Sequence, residues 1–297
     1  MIKLNLRQLR IFYSVSQEKS MSATAEKLHI TQPAISQTIA NLEQDLNVKL
    51  FERLNRRLVL TNTGEILLDY STRILNLVEE AEQTINDINN LEQGTLRIGA
   101  SMTIGTYLLP DIINKFHKQY PQLEIKFAID NTEVIEKMVL ENEIDLGLVE
   151  GPTPNENIIR EAFFNDQLLL ICAKNHPWAA KDKITAQNLK NEPFIMREKG
   201  SGTREVIANT LAQHQLDYTI YHTLNNIEAI KKAVISNIGI SILPKISIQQ
   251  ELDAEQLAIV NIENINFKRK FNFIYHRDKY KSQLFSKFMK FVKRNSK

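Results

Sequence analysis

Residues 25–65 read AEKLHITQPAISQTIANLEQDLNVKLFERLNRRLVLTNTGE. Ile35, Ile39, Leu42 and Leu46 recur at helical spacing, so one face of a helix opening near Gln32 is buried. Thr31 stands where an N-cap is needed, with a hydroxyl able to accept from a free backbone N–H. Pro33 falls in the first turn, where its missing N–H removes no helical hydrogen bond. Upstream, Ser20 or Ser22 caps a shorter helix ending at Leu28, and Ala23 and Ala25 let another helix approach closely. His29 and Ile30 supply a tight turn. Ahead of that lies a helix expected to bury Leu6, Leu9, Phe12 and Val15.

Two helices joined by a tight turn, the second opening with small polar residues, is the geometry that lays a helix N-terminus in the DNA major groove. The outer face of the second helix carries Gln32, Ala34, Ser36, Gln37 and Thr38. Gln can pair with an adenine edge, and Ala or a Thr methyl can contact thymine methyls. In LFERLNRRLVLT the alternation suggests a β-wing that would bring Arg53, Arg56 and Arg57 to phosphates or the adjacent minor groove. A helical domain with a solvated basic face is the alternative, because such patterns also occur without DNA binding.

Charge distribution favours the nucleic acid. Up to Leu60 there are nine basic residues against five acidic ones, in a chain whose formal net charge is only +2. An excess of positive charge at one end points to a polyanionic partner there.

The stretch from Ala25 to Glu65 resembles the DNA-binding signature of LysR-type transcriptional regulators. The resemblance is carried by Thr31, Gln32, Pro33, Ala34, Ser36, Leu42, Glu43, Leu50, Phe51, Arg53, Thr61 and Gly64. Asn47 replaces the family's glycine and can adopt the same left-handed conformation. Gln37 stands where Arg or Lys is common. The resemblance implies that Gln32, Pro33, Ser36 and Gln37 approach bases while Arg53 and Arg56 sit in the wing. It also implies double-stranded DNA with a partly palindromic operator as partner, RNA polymerase as a further one, and dimers that pair into a homotetramer.

Thr63 is placed to cap a long helix beginning at Gly64 or Glu65. Along it Tyr70, Ile74, Leu77, Ala81, Thr84, Ile88 and Leu91 alternate in steps of four and three, an a/d seam suited to pairing two chains. A single amphipathic helix packed on its own domain is the alternative.

After Gly94 the pattern alternates strand and helix: TLRIGA, a helix with Tyr107, Leu108, Ile112, Ile113 and Phe116, LEIKFAI, TEVIEKMVL, DLGLVE. A second series follows with LLLICAK, FIMRE, a helix after Thr203, YTIYHTL, a helix over Ile227–Val234 and GISIL. KFNFIYH and a last helix with Phe285, Phe288 and Val292 close the chain. Such alternation means βαβ units and parallel sheet, and two lobes of this kind hold ligands between them at the strand C-termini. RIGAS, LLPDIINKFHKQYP, EIDLGLVEG and GISILP resemble LysR effector domains, which implies a type 2 periplasmic-binding-protein-like fold. NTEVIEKMVLENEIDLGLVEG and REKGSGTRE resemble the CysL and CbbR subgroup, regulators of sulfur assimilation and carbon fixation.

The expected architecture is thus an α+β multidomain chain. Residues 1–60 form a winged helix-turn-helix, 61–93 a linker helix, and 94–297 a two-lobed α/β effector domain. Lobe I takes about 94–163 and 266–297, and lobe II about 164–265. Candidate effector contacts are Ser101, Met102 and Thr103 after the first strand, Asn131 and Thr132 after the second, and Ser201, Gly202, Thr203 and Arg204 opening a later helix, with Arg197 nearby. Free N–H groups and hydroxyls at helix starts favour an anion. Glu150, at the third strand's end, opposes one unless a cation pairs with it.

Other chemistries find little support. GSGTRE has Glu205 where a dinucleotide fingerprint needs its third glycine. The histidines lack metal-ligand spacing, so neither metal nor cofactor is expected. Cys172, the chain's single cysteine, lies in an apolar strand and should be inert. The basic tail, Lys279 to Lys297, reads as a solvated helix face. MIKLNLRQLRIFYS has no apolar run long enough for a signal peptide or membrane span, and a cytoplasmic protein without membrane partners is expected. An enzyme or solute binder fused to an unrelated N-terminal domain is the competing reading; it needs a catalytic constellation or a secretion signal, and neither is found.

Overall fold

A computed structural model describes residues 4–54, 57–89 and 94–296; the side chains of Arg53, Leu54, Arg57, Gln83, Thr84 and residues 86–89 lie outside that description. The chain falls into two compact units, one running to Asn89 and taking in Glu141–Glu143, the other comprising the rest.

In the first unit, helix α1 (Leu6–Glu18) starts from a capping box in which Asn5 and Gln8 each accept the other's backbone N–H. It buries Leu9, Ile11, Phe12 and Val15, whereas Leu6 remains 47% exposed. Leu6 sits in the first turn, where the helix end projects past the core, and Ile11 fills the inner face instead. Ser20 caps α2 (Met21–Leu28) by accepting from Ala23 N. Helix α3 (Gln32–Leu46) begins at Thr31, whose backbone is extended as an N-cap requires but whose hydroxyl makes no capping bond. Asn47 ends it with φ 54°, the left-handed geometry that excuses the missing glycine. Ile35, Ile39 and Leu42 pack on Phe12, Val15, Leu50 and Phe51. Each such side chain withdrawn from water stabilises the unit by about 1.5–3 kcal/mol before entropy is counted.

Strands β1 (Phe51–Leu54) and β2 (Arg57–Leu60) form the antiparallel wing, with Phe51 opposite Leu60. Helix α4 (Asn62–Asn89) follows. Thr61, not Thr63, supports its first turn, accepting from Gly64 N at 3.0 Å, while the Thr63 hydroxyl donates to Lys49 O at 2.7 Å. The wing returns so close to this helix that a Cβ on Gly64 would collide with the Leu50 carbonyl.

The second unit begins with β3 (Gly94–Ser101), α5 (Met102–Tyr107), α6 (Leu109–Gln119), β4 (Leu123–Asp130), α7 (Thr132–Leu140) and β5 (Leu146–Val149). The helix expected from Tyr107 to Phe116 is broken at Leu108, because Pro110 in the first turn of α6 cannot continue α5. Strand β3 is parallel to β4 and β5. Strand β6 (Ile158–Ala173) then runs 16 residues from lobe I into lobe II.

Lobe II contains β7 (Lys183–Ile184), β8 (Phe194–Arg197), α8 (Gly202–Gln213), β9 (Ile220–Leu224), α9 (Ile227–Ile235), β10 (Ser241–Pro244), α10 (Gln249–Asp253) and β11 (Leu257–Ile262). The sequence pattern did not mark β11, which pairs with the C-terminal part of β6. Strand β12 (Phe267–His276) returns antiparallel to β6 and rejoins β5 in lobe I, where α11 (Gln283–Asn295) covers the sheet. The lobes have separate cores, one around Ile98, Phe116, Phe271 and Phe288, the other around Trp178, Phe194, Ile207 and Ile240. Strands β6 and β12 cross between them.

Candidate functional site

The N-terminal unit presents the start of α3. Thr31, Gln32, Pro33 and Gln37 are exposed, and Ala34, Ser36 and Thr38 are partly so. Gln32 Nε2 donates to Ser36 Oγ at 2.7 Å, and Ser36 Oγ lies 3.1 Å from Met21 Sδ on α2. Gln37 Nε2 donates to Asn41 Oδ1 at 2.8 Å. These amides are held along the helix face, and the exposed Thr31 makes no side-chain capping bond. Arg53 and Arg57 belong to the wing strands, though their side chains, like Arg56 altogether, lie outside the described residues.

Glu43 is a residue whose role the sequence did not disclose. Its Oε1 accepts from Leu50 N at 2.9 Å and Phe51 N at 3.2 Å, and Oε2 meets Lys49 Nζ at 2.5 Å. One carboxylate thereby fixes the start of the wing against α3. Burial opposes its charge, but Lys49 and the two amides hold it below the usual carboxylate range.

Along α4, Ile66, Tyr70, Leu77 and Ile85 are 51–60% exposed. Of the expected seam, Tyr70, Leu77 and Ala81 are exposed and Ile74 is half-buried; the side chains of Thr84 and Ile88, and all of Leu91, lie outside the description.

Between the lobes, the expected contacts divide into three groups. Asn131 and Ser201 serve as helix caps: Asn131 Oδ1 accepts from Val134 N at 3.0 Å and Ser201 Oγ accepts from Arg204 N. Thr103 and Thr203 turn to Glu150, whose Oε1 accepts from Thr103 at 2.9 Å and lies 3.5 Å from Thr203 Oγ1. Ser101 and Thr132 are buried, and their hydroxyls have no partner among the described residues. Met102 is half-buried beside them in sequence.

Two arginines complete the cleft. Arg269 pairs with Asp166 through Nε at 2.6 Å, donates from Nη1 to Thr203 Oγ1 at 2.8 Å, and lies 3.7 Å from Glu150. It supplies the cation that Glu150 needs, which removes the objection to an anionic ligand. Its signal was present in FKRKF, where alternation puts Arg269 on the same face as Phe267 and Phe271. Arg197, 2% exposed, ends β8; Nε and Nη2 bind Glu198, and Nη1 has no partner among the described residues. Arg204, by contrast, donates from Nη1 to the Arg197 carbonyl at 2.7 Å and so ties α8 to β8.

The lobes touch at glycines. A Cβ on Gly151 would lie 2.5 Å from Gly202 Cα, and one on Gly202 would lie 2.6 Å from Thr132 Oγ1. Nearby, Glu133 N donates to Gly200 O at 3.2 Å. A second tie joins Tyr107 of lobe I to Glu228 of lobe II at 2.7 Å, with Lys231 Nζ 2.8 Å from the same oxygen. Burial, then the Glu228 carboxylate, raises the Tyr107 phenol far above its ordinary range, so it remains a donor.

A family model described as "Bacterial regulatory helix-turn-helix protein, lysR family" matches residues 6–65, and "LysR substrate binding domain" matches residues 89–297. The chain belongs to the LysR family. It is a DNA-binding transcriptional regulator with an effector-binding domain, and not an enzyme. The chain is 38% identical over 300 residues to a "Probable RuBisCO transcriptional regulator" of Phaeodactylum tricornutum, covering 99% of this chain and 98% of that one. Against the "HTH-type transcriptional regulator CysL" of Bacillus subtilis it is 34% identical over 267 residues, covering 90% and 89%. The regulatory domain of Synechocystis CcmR, solved in complex with 2-PG, superposes with a TM-score of 0.65 at 31% identity over 69% of this chain and 98% of that one. The LysR frame accounts for the two-part layout, a DNA-reading unit followed by a two-lobed sensor. No described helix is long and apolar enough to cross a membrane, and no group of metal-binding side chains occurs among the described residues.

Proposed function

We propose that this LysR-type regulator responds to a small anion bound between its lobes, and that the anion is a metabolite of carbon or sulfur assimilation. The observation that carries the reading is a set of buried donors without partners among the described residues: Ser101 Oγ, Thr132 Oγ1 and Arg197 Nη1. Buried donors left unpaired are unfavourable by about 1–3 kcal/mol each, and a ligand oxyanion that accepts from one of them offsets that cost. Ser101 ends β3 and Thr132 opens α7, so backbone N–H groups and a helix dipole add to the attraction. Thr103, Glu150, Thr203 and Arg269 form the floor, while Asn131, Ser201, Gly202 and Arg204 shape the loops around the ligand, with Met102 beside Ser101. The relatives named for RuBisCO regulation and CysL, and the 2-PG complex of CcmR, support this class of effector.

On the DNA side, Thr31, Gln32, Pro33, Ala34, Ser36 and Gln37 read base edges while Arg53, Arg56 and Arg57 contact backbone or minor groove. Two chains pair through the exposed α4 seam, and dimers pair again into a tetramer on a partly palindromic operator. The protein acts in the cytoplasm, where its operator is.

Thermal unfolding of the full chain with 2-PG, phosphate, sulfate, sulfite and O-acetylserine tests the sensor. A true effector at a hundred times its Kd adds about 2.7 kcal/mol of stability. The double change Ser101→Ala/Thr132→Val should abolish most of that gain. Stabilisation by an anion that survives the double change overturns the proposed pocket.

A further inference from the structure

We propose that Glu150 selects the effector: the ligand of the inter-lobe cleft is an organic acid that also carries a hydroxyl or ammonium group, and this group donates to Glu150 Oε2. The inference rests on the reading of the cleft as an oxyanion-binding effector site and narrows its ligand class.

Glu150 follows β5, and its side chain is 2% exposed. Its two oxygens stand in different surroundings. Oε1 accepts from Thr103 Oγ1 at 2.9 Å and lies 3.5 Å from Thr203 Oγ1 and 3.7 Å from Arg269 Nη1. Oε2 is buried and has no partner among the described residues. Arg269, shared with Asp166 at 2.6 Å, offsets charge without bonding to Oε2.

A buried carboxylate oxygen without a donor is unfavourable, and an oxyanion cannot relieve it, because an oxyanion brings only acceptors. The cleft therefore makes two opposite demands. Ser101 and Thr132 have hydroxyls that lack a partner, and Glu150 has an acceptor that lacks a donor. A bare sulfate or phosphate answers the first and sets like charge against the second. An acid with a hydroxyl or ammonium beside its charged group answers both.

The carboxylate is not free to turn away. Thr103 of lobe I, Thr203 of lobe II and Arg269 of β12 all converge on Oε1. The next residue is confined as well, since a Cβ on Gly151 would lie 2.5 Å from Gly202 Cα. Lobe II thus supplies part of the cover over Glu150, and parting the lobes uncovers the carboxylate to an entering ligand. A hydrogen bond to a charged group, once lost, weakens binding by about tenfold to a hundredfold. Sites built around a ligand O–H or N–H reject the analogue that lacks it for this reason.

The test is calorimetric titration of the full chain with 3-phosphooxypropionate, 3-phosphoglycerate and O-phosphoserine. The three share one skeleton and differ only at the carbon beside the carboxylate, which bears hydrogen, hydroxyl or ammonium. At least one of the last two should bind about tenfold or more tighter than the first. A lead for O-phosphoserine identifies the donor as ammonium, and a lead for 3-phosphoglycerate identifies it as hydroxyl. Glu150→Gln removes the charge and offers an amide N–H in place of one oxygen, so the preference should vanish. Because loss of a negative charge strengthens the binding of every anion, the readout is the ratio of Kd values within each variant. That ratio in the unaltered chain decides the ligand class even if the variant folds poorly. Equal Kd values in the unaltered chain, binding of none of the three, or a preference that persists in Glu150→Gln overturns the role of Glu150. Each of these failures leaves the oxyanion reading standing, because that reading is lost only when anion stabilisation survives Ser101→Ala/Thr132→Val.

Discussion

Replacing Glu43 by alanine is expected to unhinge the wing from α3. The substitution leaves the backbone N–H groups of Leu50 and Phe51 without their acceptor, and these residues are 1% and 8% exposed. Each buried donor left unpaired is unfavourable by about 1–3 kcal/mol, so the loss is about 2–6 kcal/mol. The Lys49 pair adds little, because the Lys49 side chain is 78% exposed. For a small domain a loss of that size is comparable with its whole stability. Glu43→Gln retains an oxygen able to accept both amides and gives up only the charge, so it should lose about 1 kcal/mol. Urea unfolding followed by circular dichroism, together with hydrogen exchange at Leu50 and Phe51, distinguishes the variants. Operator binding by anisotropy should fall with the alanine change and largely survive the glutamine one. Because the folded carboxyl lies below its ordinary range, its contribution is present above about pH 4 and is lost as pH falls through the lower folded value. Equal unfolding midpoints for the alanine and glutamine variants would refute the account of Glu43.

Asp145 offers a second pH-dependent element. Burial opposes its charge, but Arg97 at 2.9 Å and Lys279 at 2.8 Å hold it below the usual range. Stability of the effector unit should therefore decline below about pH 4, and Asp145→Asn should lower it by about 3–5 kcal/mol in a thermal melt. Burial, then Glu192, pushes the Cys172 thiol up to about 11, so a thiol reagent at neutral pH should label the native protein far more slowly than the unfolded one. In DNA binding, Gln37→Ala should alter base preference in a selection from random fragments, whereas Arg56→Ala should weaken all sequences alike; identical outcomes would mean that α3 is not the reader. Leu77→Glu, at an exposed position on α4, should shift sedimentation toward smaller species if the seam joins two chains.

Much of this molecule is legible in one dimension because the relevant rules are local. Periodicity marks α3 and its buried face, and Asn47 announces a left-handed turn. The alternation of strands and helices declares a two-lobed α/β half. Some local details went the other way: Leu6 is exposed, Thr61 takes the capping role expected of Thr63, and Thr31 caps by position without using its hydroxyl. In these cases several candidates satisfy the same local rule, and neighbouring elements choose among them.

What only the tertiary structure decided is which polar groups are already spoken for. Asn131, Ser201, Ser101 and Thr132 look alike in sequence, each a short polar residue at a helix start. Folding turns Asn131 and Ser201 into caps and leaves the Ser101 and Thr132 hydroxyls buried without partners. Arg269 lies 119 residues after Glu150 in the numbering, and only the return of β12 beside β6 brings the two together. Hydrogen-bond demand is settled by distance in space, and strand pairing across lobes sets those distances without leaving a periodic trace in the chain.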